Sequence, residues 1–165
     1  MPRQGGGSGV IKNSVKGGCV LKAVIQRVRR TALRVEGETI SEISGGLAVY
    51  LGVTHTDEEA NARAMAKKIS ALRVFEDDCG KMNLSVKDVA GEVLLISQFT
   101  LYGDARHGNR PSFTAAARPE YAKPLYEAVA AFLREEGVTV KLGVFGADMK
   151  IEQFNDGPVT IIYEC

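Results

Sequence analysis

The chain has 165 residues, 25% charged and 45% hydrophobic, with a formal net charge of +1. That length suits one domain that buries roughly two-thirds of its unfolded surface. Near-neutrality excludes the broad basic surplus of a general nucleic-acid binder and leaves only a local patch open. Cys19, Cys79 and Cys165 form no C-x-x-C pair; an odd, scattered set argues against a disulfide framework and fits a reducing compartment. His55 and His107 are the only histidines and lie far apart, so no metal site is expected. No apolar run reaches the roughly 18 residues of a membrane span.

Residues 1–20 are rich in Gly, Ser and Lys/Arg and lack apolar periodicity. They also lack the apolar core of a secretory signal. They read as a disordered leader, a cloning remnant, or translation begun upstream of the true start, with one domain over residues 21–165.

Regular structure is predicted from Leu21. Residues 23–28 alternate as a strand, with Val24 and Gln26 opposite Ile25 and Arg27. Residues 31–35 form a second extended piece and 39–43 a third. The nearly continuous apolar run 47–53 is a buried strand. A helix starts near Thr56, which caps it with Glu59 three residues on, and shows a stripe of Ala60, Ala64, Ile69 and Leu72. Residues 73–75 return to strand, and 92–99 form the next. A polar loop over 103–111 carries Arg106, His107, Asn109 and Arg110. A second helix is predicted over 119–136, with Tyr121, Leu125, Ala128, Phe132 and Leu133 apolar and Gly137 as its stop. Strands over 138–144, 149–154 and 159–163 close the chain. Eight or nine strands, mostly in runs, with two helices outside argue an α+β fold built on a curled, barrel-like sheet.

Two segments invite a chemical reading. Ser97-Gln98-Phe99-Thr100-Leu101 ends a strongly apolar strand with a polar cluster. Ser97 or Thr100 as nucleophile needs a base, and His107 is the nearest histidine in sequence. Exposed N–H groups at the strand end offer an oxyanion hole instead. Both readings stay open beside a plain strand end. Asp156-Gly157-Pro158 reads as a turn between strands, or as a rigid backbone wall on which a ligand closes, since glycine has no side chain. Arg27 is either surface-facing or an inward guanidinium that needs partners. Arg106 and Arg110 suit a phosphate rim, or a solvated loop. Met149 reads as core or as ligand wall.

Seven segments in order carry a resemblance: Ala23-Val24-Ile25-Gln26-Arg27-Val28, Leu72-Arg73-Val74-Phe75, Gly80-Lys81-Met82-Asn83-Leu84-Ser85-Val86, Ser97-Gln98-Phe99-Thr100-Leu101, Arg110-Pro111-Ser112-Phe113, Phe145-Gly146-Ala147-Asp148-Met149 and Asn155-Asp156-Gly157-Pro158-Val159-Thr160. From Leu21 to the C-terminus the chain resembles the D-aminoacyl-tRNA deacylase family, the D-tyrosyl-tRNA deacylases. Members typically begin with Met where this chain has Leu21. The resemblance implies a cytoplasmic homodimer without a cofactor, its sites at the subunit interface. It implies that Gly157-Pro158 matches a Gly-cisPro motif that enters the partner's site and rejects L-aminoacyl groups, with Arg27 bracing it. Ser97, Gln98, Phe99 and Thr100 would line the pocket for the terminal adenosine and ester, with Phe145 and Met149 close by. The implied substrates are D-aminoacyl-tRNA and glycyl-tRNA mischarged on tRNA for alanine, with the terminal 2′-OH helping to activate water. Two rivals remain: a binding module using Arg27, Arg29, Arg30, Arg34, Arg106 and Arg110, and a Ser/Thr hydrolase of small esters.

Overall fold

A computed structural model describes residues 20–165. The leader expected over 1–20 lies, except for Val20, outside the described residues, as does Cys19. The described elements are β1 (Lys22–Val35), β2 (Glu38–Ile43), β3 (Gly46–Gly52), α1 (Glu59–Ala71), β4 (Phe75–Glu76), β5 (Met82–Leu84), β6 (Glu92–Ser97), a 3-10 turn (Phe99–Tyr102), α2 (Pro119–Glu135), β7 (Thr139–Leu142) and β8 (Lys150–Glu164).

The long β1 organises the sheet. Its first half pairs antiparallel with β3 and its second half with β2. Its other edge is lined by antiparallel β8 over nearly its full length. β3 pairs parallel with β6, and β6 parallel with β7. Helices occupy the crossovers that these parallel pairs require. The far edge curls back on itself: Ser41 Oγ donates to the Leu142 carbonyl at 2.5 Å, and Lys141 Nζ donates to the Glu42 carbonyl at 2.7 Å. The result is a nearly closed, barrel-like sheet with two helices outside, the α+β architecture expected.

Both faces of the central strands are buried, which is why they are apolar without alternation. Leu47, Val49, Leu51, Val93 and Leu95 meet the helices, while Ala48, Leu94 and Ile96 join Val28, Leu33 and Ile43 inside the curl. Each large aliphatic side chain so buried contributes about 1.5–3 kcal/mol.

Several sequence expectations need correction. Residues 23–28 and 31–35 are one strand, bent where its pairing with β8 is irregular. The first helix begins at Glu59, capped through a Glu58–Asn61 box, not at Thr56. The cause is Asp57, whose carboxylate accepts the Thr54 N–H at 2.7 Å and holds the preceding turn out of the helix. The buried stripe of α1 is therefore Ala62, Met65, Ala66 and Ile69, while Ala60 and Ala64 are exposed. On α2, Tyr121 is exposed, and Ala122, Tyr126, Val129, Phe132 and Leu133 face the core. The strand expected over 73–75 shrinks to β4, paired with β5 through a turn that Asp77 organises by accepting the Cys79 and Lys81 N–H groups. The final two strands are one, β8.

Candidate active site

The end of β6 and the turn after it form one wall of a cleft. β6 stops at Ser97, whose neighbour Leu51 on β3 is the last pair of the parallel ladder. Gln98 still donates its N–H to the Leu51 carbonyl at 2.8 Å, but its backbone has left the strand conformation. The chain then closes a 3-10 turn over Phe99–Tyr102, so Phe99 belongs to a turn and not to the strand predicted over 92–99, and Thr100 follows it in that turn. The opening N–H groups of such a turn have no acceptor within it.

A cleft of about 520 Å³ is lined by Ser97, Gln98 and Phe99, by Phe113 and Ala116, by Tyr126 of α2, and by Phe145 and Met149 from the segment between β7 and β8. Phe99 and Phe113 meet edge to face, ring centroids 5.3 Å apart, and both are substantially exposed. Tyr126 and Phe145 pack at 5.8 Å. Such mostly apolar walls with a few polar atoms are typical of small-ligand sites. Met149 serves both readings offered for it: it packs on the inner core and lines the cleft.

Among the described residues the cleft lining includes one carboxylate, Asp148, which pairs with Lys150 at 2.9 Å, and no histidine. The Thr100 hydroxyl accepts from the Gln98 side-chain amide, a local contact. His107 is exposed and is not part of the cleft wall, and His55 contacts the Thr114 carbonyl at 2.9 Å. The Tyr126 phenol is pushed up to about 12, chiefly by burial, and donates to the Leu95 carbonyl at 2.8 Å. It stays neutral through the physiological range. Among the described residues no cluster of three or more His, Cys, Asp or Glu could hold a metal, and Cys79 and Cys165 are free thiols.

The second segment lies elsewhere. β8 pairs Thr160 with Gln26 and Asn155 with Val28, so residues 156–159 bulge opposite the single residue Arg27. Asp156-Gly157-Pro158 is therefore neither a turn between strands nor part of the cleft wall, but an excursion within one strand. The Gly157–Pro158 peptide is cis, and both residues are exposed. Beneath them Arg27 is only 6% exposed. Its Nε donates to the Asp156 carbonyl at 3.1 Å and its Nη1 to the Val74 carbonyl at 2.7 Å, with Glu76 at 3.8 Å. The inward reading of Arg27 holds, with partners on two elements.

Sequence reasoning missed Tyr126 and Glu76, and it did not connect Val74 or Asp156 with Arg27. The apolar stripe expected on α2 passed over Tyr126, which is buried one position beyond the expected Leu125. The partners of Arg27 are 47 and 129 residues away.

The profile described as D-Tyr-tRNA(Tyr) deacylase matches residues 24–164. The chain belongs to the D-Tyr-tRNA(Tyr) deacylase family. It is 53% identical over 144 residues to a D-aminoacyl-tRNA deacylase of Halalkalibacterium halodurans, covering 87% of this chain and 99% of the relative. With the D-aminoacyl-tRNA deacylase of Thermus aquaticus it shares 56% identity over 144 residues, 87% of this chain and 95% of the relative. A solved structure named c-Myc DNA Unwinding Element Binding Protein superposes with a TM-score of 0.81 at 42% identity, over 87% of this chain and 98% of that one. A probable eukaryotic D-amino acid tRNA deacylase superposes at 0.78 with 15% identity, over 88% and 100%, a likeness of fold alone. In this chain Ser97, Gln98, Phe99, Phe145 and Met149 line one cleft, whereas Arg27 sits beneath Gly157 and Pro158, apart from it. Thr100 sits exposed just past the wall.

Proposed function

We propose that the chain hydrolyses the ester joining a D-amino acid to the 3′-terminal ribose of tRNA. The observation that carries this reading is the cleft itself: in a chain of a deacylase family, a strand end and a following turn meet an apolar wall large enough for a terminal nucleoside and its acyl group. No side chain on the wall is poised as nucleophile with a base. The reading therefore rests on positioning and on backbone donors opening the 3-10 turn, which can supply many kcal/mol of transition-state stabilisation. The terminal 2′-OH is the group that assists water.

The rest of the reading concerns assembly. The Gly157-Pro158 excursion stands out from the surface and does not line the chain's own cleft, so it suits insertion into the cleft of a second copy. On the sheet face turned from the helices, the register places Val24 beside Ile162 and Gln26 beside Thr160. Ile162 is 70% exposed, an apolar side chain a partner would cover. In this homodimer the carbonyls of 157 and 158 reject L-aminoacyl groups by collision. Glycine lacks the side chain on which that filter acts, so glycyl-tRNA mischarged on tRNA for alanine is a second substrate. The setting is the cytoplasm; among the described residues no helix is long and apolar enough to cross a membrane.

The named DNA-binding relative gives a second reading, a nucleic-acid-binding module. Its arginines are mostly spent here: Arg30 pairs with Glu42 at 2.6 Å, Arg34 with Glu152 at 3.0 Å, Arg106 with Asp104 at 2.6 Å and Arg29 with Asp156 at 3.2 Å. Paired charges add little to the field that draws a polyanion.

Release of D-tyrosine and L-tyrosine from matched charged tRNAs tests the proposal. Fast D-ester cleavage with the L-ester intact is expected. Cleavage of both refutes the chiral filter, and salt-sensitive binding without turnover favours the binding module. A substrate ending in 2′-deoxyadenosine should be cleaved at least a hundredfold more slowly, the usual size of a lost proton-transfer partner; normal cleavage removes the role given to the 2′-OH.

A further inference from the structure

We infer that Asp156 is a specificity-determining positioning residue, whose carboxylate is held between Arg27 and Arg29 and so sets the orientation of the 157–158 backbone. The inference rests on the reading of Gly157-Pro158 as the chiral filter and names the side chain that aims it.

Residues 156–159 have no ladder partners on β1, so main-chain pairing does not orient them. Gly157, with φ at +130°, adds freedom just where direction matters. What remains is the anchor on residue 156. Its carbonyl accepts from Arg27 Nε at 3.1 Å, and its Oδ2 lies 3.5 Å from the same nitrogen. Its Oδ1 accepts from Arg29 Nε at 3.2 Å. Arg27 is itself fixed from behind by the Val74 carbonyl, so a chain of contacts runs from the segment before β4 through Arg27 to Asp156.

The two arginines differ in kind. Arg27 is buried and spans two elements. The Arg29 side chain is 75% exposed and sits where β1 carries an extra residue in its pairing with β8, between Val28 and Arg30. That irregularity lets residues 27 and 29 approach one carboxylate from below and from outside. Arg27 supports the backbone of 156 whatever its side chain is. Only the carboxylate joins that support to Arg29 and stops the excursion from swinging about the Arg27–carbonyl bond. A swing of the 157–158 carbonyls changes which acyl side chains they strike, so it alters discrimination before it alters stability.

The test measures cleavage of D-tyrosyl- and L-tyrosyl-tRNA by wild type, Asp156→Ala, Asp156→Asn and Arg29→Ala, with melting temperatures alongside. Asp156→Ala should lower the D-over-L ratio about tenfold or more, the size of one lost charge-assisted hydrogen bond. Asp156→Asn keeps an acceptor and should recover much of the ratio. Arg29→Ala should lower it by a smaller factor at unchanged melting temperature. In wild type, high salt should reduce the ratio, because the Arg29 arm is exposed to screening. An unchanged ratio in Asp156→Ala overturns the inference while wild-type selectivity leaves the filter standing. Wild type that fails to separate the enantiomers overturns the filter and the inference together. If Asp156→Ala proves unstable, Arg29→Ala decides: an unchanged ratio there overturns the carboxylate clamp.

Discussion

Replacing Gly157 by alanine places the sharpest demand on the excursion. An ideal Cβ at Gly157 would lie 2.8 Å from Val159 N, 2.9 Å from Val159 Cγ2 and 3.2 Å from Arg27 Nη2. Two of these are closer than real Cβ contacts, and one of the two is to backbone, which cannot rotate aside. The φ of +130° is also one that L side chains rarely adopt, costing about 1–3 kcal/mol by itself. Steric displacement adds about 1 kcal/mol or more. The total, about 2–4 kcal/mol, is well below the roughly 5–15 kcal/mol that typically holds a domain together. Gly157→Ala should therefore fold, with its melting temperature lowered by roughly 5–15 °C. The alternative relief is movement of the exposed excursion, which would appear as lost D-over-L selectivity instead of lost stability. Calorimetry and the paired deacylation assay read both channels. A variant with wild-type melting temperature and wild-type selectivity would show that neither the packing around residue 157 nor its backbone direction matters as argued.

Other substitutions probe the remaining contacts. Arg27→Met should cost about 3–5 kcal/mol in urea unfolding, because it strands the Val74 and Asp156 carbonyls in a buried site; Arg27→Lys should recover little, since one ammonium cannot span both acceptors as a guanidinium does. Thr100→Ala should reduce D-ester turnover less than tenfold, whereas loss of a true nucleophile costs about ten-thousand-fold or more, so a collapse of that size restores the nucleophile reading. The raised Tyr126 pKa means the folded state holds that proton more tightly than the unfolded chain, so its stabilisation is present below pH 10 and lost as pH rises toward about 12. Unfolding free energies of wild type from denaturant titrations should fall over that window by roughly 3 kcal/mol more than those of Tyr126→Phe, and parallel curves would refute the assignment.

The strands and helices were legible wherever burial imposes a period. The two-sided apolar runs of β3 and β6, and the acids and glycine around the helices, placed most elements within a few residues. Errors arose where a specific pairing or hydrogen-bond partner, near or distant, decides. Residues 149–154 and 159–163 read as two strands because Asp-Gly-Pro ordinarily breaks a chain, yet β1 templates both halves and carries the excursion between them. The start of α1 moved because the Asp57 carboxylate takes the Thr54 N–H. The segments that line the cleft were legible as motifs: Ser97 to Phe99 and Phe145 to Met149 are some fifty residues apart, and parallel β6–β7 pairing brings them to one cleft.

Arg27 shows why the cleft is only half of the chemistry. A buried guanidinium is costly to desolvate. Its cost is accepted where two carbonyls, on Val74 and Asp156, need one rigid donor between them. Since the proposed chemistry rests on positioning and backbone donors, side-chain substitution in the cleft should lower rate by modest factors. Substitution beneath the excursion, at Arg27, Asp156 or Gly157, should change which substrates are accepted. A scan that found the largest losses of selectivity at Ser97 or Gln98, and none under the excursion, would reverse that division of labour.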